Sequence, residues 1–98
     1  MANEYKFNAK DFYRILDTQN KRCRLTGREL TPENTNAEHI LPLRKGGSHE
    51  FKNVCLIVEP LSKLKRYYTE DEIIQLAADI ISFRGSKFGY RLSKTKKR

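Results

Sequence analysis

Nowhere in these 98 residues is there an apolar run approaching the length of a bilayer-crossing helix. The opening stretch, MANEYKFNAKDF, has no apolar signal-peptide core. The first lack excludes a membrane-spanning helix, and the second leads us to expect an intracellular, cytoplasmic protein. Cysteine is scarce too: Cys23 and Cys55 are the only two, and neither belongs to a C-x-x-C pair. That argues against a disulfide framework and against a structural zinc site built from cysteines, leaving two buried, reduced thiols as the expectation. There is no internal repeat, and no biased segment apart from the C-terminal end.

The last lack is acidic. Residues 84–98, RGSKFGYRLSKTKKR, carry seven Lys and Arg and no Asp or Glu, whereas residues 1–83 hold 13 basic side chains against 12 acidic ones. The formal charge of +8 therefore resides almost wholly in the tail. Such a segment calls for a polyanion, and nucleic acid is the first candidate because basic side chains release its condensed counterions. Phe88 and Tyr90, interleaved with the charges, suit stacking or packing. The chain has room for one folded domain with a small core, so we divide it into a domain over 1–83 and a basic tail over 84–98.

Along the domain, Asn8 can cap a helix over about 9–19 whose apolar face is Phe12, Ile15 and Leu16. CRLTGREL suits a short strand and turn, and TPENTN a loop or single helical turn. AEHILPL and the β-branched NVCLIVE read as two strands joined by the long polar segment RKGGSHEFK. PLSKLKRY begins with a proline and reads as a short helix. Thr69 with Glu72 forms a capping box before a helix over 70–83, whose apolar stripe is Ile73, Leu76, Ala77 and Ile80 and which stops before Gly85. The class is α+β. Strand, long loop, strand and helix would gather residues near 39, near 53 and at 62–65 into one cleft.

The chemistry that suits such a cleft is phosphodiester hydrolysis, which needs a base for water and a cation for the developing charge. His39 can be the base, since imidazole titrates near neutral pH, and Glu38 can hold a hard divalent ion through oxygen, magnesium or manganese before zinc. Both can serve one site if the strand ends or bulges there, because successive strand residues point to opposite faces. His49 suits a loop-stabilising hydrogen bond, and Gly46 and Gly47 a tight backbone excursion. Arg44 and Lys45 are either solvated loop charges or DNA contacts. The basic cluster of Arg22, Arg24 and Arg28 suits a phosphate-facing surface.

The ordered set C-x-L-T-G at 23–27, E-H-I-x-P-L-x-x-G-G-S-H at 38–49, N-V at 53–54 and S-K-L-K at 62–65 resembles the HNH endonucleases. It is most similar to a small subgroup in which an acidic helix start like TEDEI at 69–73 follows the motif. The resemblance spans residues 8–83. It implies a ββα-metal core, a short antiparallel β-hairpin plus helix around one divalent ion, with flanking N- and C-terminal helices, and DNA cleavage as the activity. It also implies a role for each matched residue: His39 the general base, Glu38 the acidic metal ligand, Asn53 the asparagine that fixes the loop and orients the imidazole. Ser62 falls where a His or Asn normally completes the metal site, and Lys65 matches a basic residue able to contact phosphate. Thr26 stands where zinc-binding relatives carry a second cysteine, so no structural zinc is expected.

Two further classes stay open. One is a nucleic-acid-binding module of the same fold with weak or lost catalysis, motivated by Ser62 and the basic tail; the other is an accessory protein that binds an acidic partner through that tail. The expected partner is double-stranded DNA, with no membrane, and the expected state is a monomer or weak dimer; the resemblance suggests a prokaryotic or phage setting.

Overall fold

The computed structural model describes residues 4–93 and 95. Three helices and one two-stranded antiparallel sheet make up its α+β architecture: α1 (Ala9–Thr18), β1 (Thr35–His39), β2 (Val54–Val58), α2 (Ser62–Tyr67) and α3 (Glu70–Arg84). Asn8 caps α1 by accepting the Asp11 N–H, and Thr69 and Glu72 close a reciprocal capping box on α3. Left-handed backbone at Asn20 and Lys21 turns the chain after α1. CRLTGREL, expected as a strand and turn, forms only a tight turn carrying a single bridge between Arg22 and Glu29.

β1 differs most from the sequence expectation: it covers 35–39 rather than 37–43. Thr35 pairs with Val58 and His39 with Val54, so the ladder ends at the histidine. Proline at 42 has no N–H to extend the ladder, and the backbone of Leu41 is bonded to the Asn53 side chain instead. Gly85 also differs. Its backbone is helical, the chain continues as a 3-10 turn over Gly85–Phe88, and the left-handed exit falls at Gly89. Lys94, Lys96, Lys97 and Arg98 of the expected basic tail lie outside the described residues.

All five residues of β2 are buried, and with Ile15, Cys23 and Leu30 they form the core. A strand in that position has an outer edge to satisfy. Among the described residues no third strand does so. The Gln19 side chain accepts from Leu56 N–H at 3.0 Å and donates to its carbonyl at 2.9 Å, the Arg24 N–H adds a second bond to that carbonyl, and the Cys23 sulfur accepts from Val58 N–H. α1 packs on this strand, while α2 packs on β1, and the 40–53 loop bridges the two strands at their far end. The cleft between β1, that loop and α2 is the consequence. No helix among the described residues is long and apolar enough to cross a membrane.

Candidate functional site

Glu38 and His39 occupy consecutive positions on β1 and so leave the strand on opposite faces. Because the strand stops at His39 and the chain turns through Ile40 and Leu41, both still line a cavity of about 270 Å³ with Pro42, Leu43, Arg44, Lys65 and Arg66. The Glu38 side chain is 8% exposed and faces α2. There the Ser62 hydroxyl donates a short hydrogen bond to Glu38 Oε2, and the Arg66 guanidinium pairs with the same oxygen at 3.1 Å. Ser62 and Arg66 sit one helical turn apart on α2, so a single helix face delivers both to one carboxylate. Oε1 takes part in neither bond.

On the other side of the strand, His39 Nε2 lies 3.0 Å from His49 Nδ1. The two rings meet edge to face, and the Tyr5 ring tilts over His49 with centroids 5.1 Å apart. The Tyr5 hydroxyl donates to Asp11 at the start of α1, at 2.6 Å. Burial, then the neighbouring His49, pushes the His39 imidazole below its ordinary pKa range, which favours the neutral ring. The sequence places His49 as a loop stabiliser; in the fold its bond goes to the imidazole expected to act as base.

Asn53 holds the loop that shapes the cavity. Its Oδ1 accepts Leu41 N–H at 2.8 Å, and its Nδ2 donates to the carbonyls of Leu41 at 3.0 Å and Ser48 at 2.7 Å. Its own backbone carbonyl accepts from Ile40 N–H, next to His39. A β-carbon on Gly47 would collide with the Leu41 carbonyl and come within 3.0 Å of Asn53 Nδ2. Glycine at 47 is therefore what lets this clasp close. Left-handed backbone at Gly46 ends the preceding 3-10 turn over Leu43–Lys45.

The basic residues separate into distinct groups. Lys65 is fully buried: its ammonium donates to the Ile40 carbonyl at 2.6 Å and the Tyr68 carbonyl at 3.3 Å, and burial pushes its pKa down. Where the sequence suggests a phosphate contact, the structure gives a strap from α2 to the end of β1. Arg44 lies over the Tyr67 ring at 4.0 Å and lines the cavity. Lys45 pairs with Glu72 and Arg24 with Glu70, both tying the body of the domain to the first turn of α3. Arg22 donates to the Gly27 carbonyl within its own turn, and Arg28 is exposed beside it. Arg66, absent from the sequence-based assignment, is the cation nearest the carboxylate. Its i, i+4 relation to Ser62 was the signal that could have found it.

Glu38 at the cavity wall and the buried Ser62 hydroxyl bonded to it supply carboxylate and hydroxyl oxygens side by side, a donor set that suits a hard divalent ion. Among the described residues no group of three or more His, Cys, Asp or Glu side chains converges on one point. Such an ion would therefore keep much of its shell as water and substrate phosphate, as magnesium readily does. Cys23 and Cys55 are buried free thiols; Cys23 receives the N–H groups of Thr26 and Val58, and burial pushes the Cys55 thiol up to about 11. No family model matches this chain, and no curated protein matches it.

Proposed function

We propose that this chain is a metal-dependent endonuclease of the HNH type that hydrolyses phosphodiester bonds in double-stranded DNA, nicking with little sequence selectivity. The observation that carries this reading is the end of β1 at His39, which brings an acidic side chain and a partly buried imidazole to one cavity lined by Arg44 and Arg66. For His39 to take a proton from water through Nδ1, its Nε2 must carry the hydrogen and donate to His49 Nδ1, which in turn must be the accepting tautomer. His49 thus selects the reactive nitrogen and fixes the ring. Glu38 and Ser62 would hold magnesium or manganese, and such an ion would neutralise charge developing on the phosphate. Arg66 and Arg44 orient the phosphate from the cavity wall. Asn53 acts one step back, by holding the loop backbone on either side of Pro42. One such site cuts one strand, so a single copy nicks.

Conversion of supercoiled plasmid to the open circle across a panel of divalent metals tests this, with Glu38→Gln as the comparison. Cleavage that needs magnesium or manganese and collapses in the variant supports it; equal cleavage by both proteins would remove the assigned metal site.

A second reading has its own observation. Ser62 and Arg66 already satisfy one oxygen of Glu38 with a hydroxyl and a full positive charge. A carboxylate so neutralised suits a nucleic-acid-binding module of the same fold with weak or lost catalysis. That reading predicts salt-sensitive DNA binding with no nicking in any divalent metal, and Ser62→Asn as a change that raises cleavage from a low base.

A further inference from the structure

α3 is poorly covered by the other described residues. Of its 15 residues only Ile73 is buried, where the helix leaves α2. Beyond it Leu76, Ile80 and Phe83 stand 44%, 61% and 84% exposed. With Ile73 these four repeat at spacings of three, four and three, the a and d seam of a two-helix pair. Residues of the C-terminal segment, Leu92, Ser93 and Thr95, border α3 on another face, with Gln75, Ala78, Asp79 and Ser82. The seam is left open. A helix of this length gains little stability alone in water, and its apolar stripe calls for a partner. Its charges point to which one. The first turn is acidic, with Asp71 beside Glu70 and Glu72, which already pair with Arg24 and Lys45, and the far end is basic, with Arg84 in the last turn and Lys87 in the 3-10 turn that follows. Such a helix complements its own reverse. An antiparallel alignment centred near Ile80 sets Leu76 of each copy opposite Phe83 of the other and brings Asp71 close to the level of Lys87, while the two helix dipoles oppose.

We propose that α3 is a two-fold interface with a second copy of this chain, packed antiparallel along Leu76, Ile80 and Phe83. The contact is isologous, so it closes at a dimer. If the nuclease reading holds, the dimer carries two sites and can nick both strands of one duplex, but the interface itself does not depend on that reading. Sedimentation equilibrium of the full chain over a concentration series tests it. The expected mass rises to twice the 11.5 kDa of one chain, and Ile80→Glu holds it at the single-chain value with an unchanged circular dichroism spectrum. A charge reversal at Asp71→Lys should weaken the pair, and Lys87→Glu on the same chain should restore it. Ile80→Cys reports the alignment under mild oxidation: the introduced thiols cross-link, whereas those of Gln75→Cys on another face do not. A single-chain mass throughout the series overturns the proposal. So does a single-chain mass combined with DNA affinity lost in Ile80→Glu, which would make the face a nucleic-acid contact.

Discussion

At the scale of single residues, the site is a set of side chains each held by a second. His39 is held by His49, Glu38 by Ser62 and Arg66. Burial and then His49 set the direction of the His39 titration, below the ordinary 6.5. The neutral base therefore survives as pH falls through 6.5, and the acidic limb of a cleavage rate profile should lie below that value. The same depression has a stability consequence. Below 6.5 the unfolded chain takes up this proton first, so the folded state loses stability as pH falls through the window between 6.5 and the lower folded value, and gains none above it. His49→Ala should move the acidic limb upward and lower the rate. A pH–rate profile of the two proteins checks this, and an unmoved limb would deny His49 its role. Arg66→Ala should weaken phosphate engagement yet leave Glu38 freer for a cation, so a fall in the metal concentration for half-maximal rate, alongside weaker DNA binding, is the expected split. The sequence led us to expect Glu38, His39 and Ser62 near one another, and the fold puts Ser62 in contact with Glu38 beside His39. His49 was expected to form a hydrogen bond that steadies the loop; that its partner is the His39 ring depends on how a long loop folds back, and no periodicity encodes that.

The elements show a similar division. α1, α2 and α3 fall where capping residues and apolar spacing place them, since those signals are local. β1 does not, because the apolar residues after His39 look like strand while the decisive fact, the capture of Leu41 by Asn53, joins residues 12 apart in sequence. Asn53→Ala removes the three side-chain hydrogen bonds of that clasp and leaves the Leu41 N–H without its acceptor. A loss of about 1–3 kcal/mol is expected in urea unfolding. Gly47→Ala should open the same loop by collision and reduce cleavage more than it reduces DNA binding. The outer edge of β2 was also illegible, because a glutamine at the end of a helix gives no sign that it will serve as a strand's neighbour. Gln19→Ala leaves the buried Leu56 N–H without its acceptor, for which a destabilisation of about 1–3 kcal/mol is expected from the thermal or urea midpoint. A change close to zero would mean that water or the Arg24 backbone takes over that edge.

At the scale of the whole molecule, charge divides the sequence into a nearly neutral stretch over 1–83 and a strongly basic one over 84–98. Replacing Lys94, Lys96, Lys97 and Arg98 with alanine should lower DNA affinity across all sequences and reduce the salt dependence, by about 0.9 in the slope of log K against log salt for each phosphate no longer neutralised. Folding and metal dependence should not change. A slope equal to that of the native chain would assign the DNA contacts to the domain instead, with Arg22 and Arg28 the first to substitute. Charge asymmetry of this kind was readable from the order of residues along the sequence, whereas the open seam of α3 emerged only once the fold showed what the other described residues leave uncovered. The central claim, that His39 is the base of a metal-dependent nuclease, is tested most directly by plasmid nicking in magnesium or manganese with the native chain and with His39→Ala. The expected result is a metal-dependent open circle whose rate falls by on the order of 10²–10⁴ in the variant while DNA binding is kept; equal rates in the two proteins would contradict it.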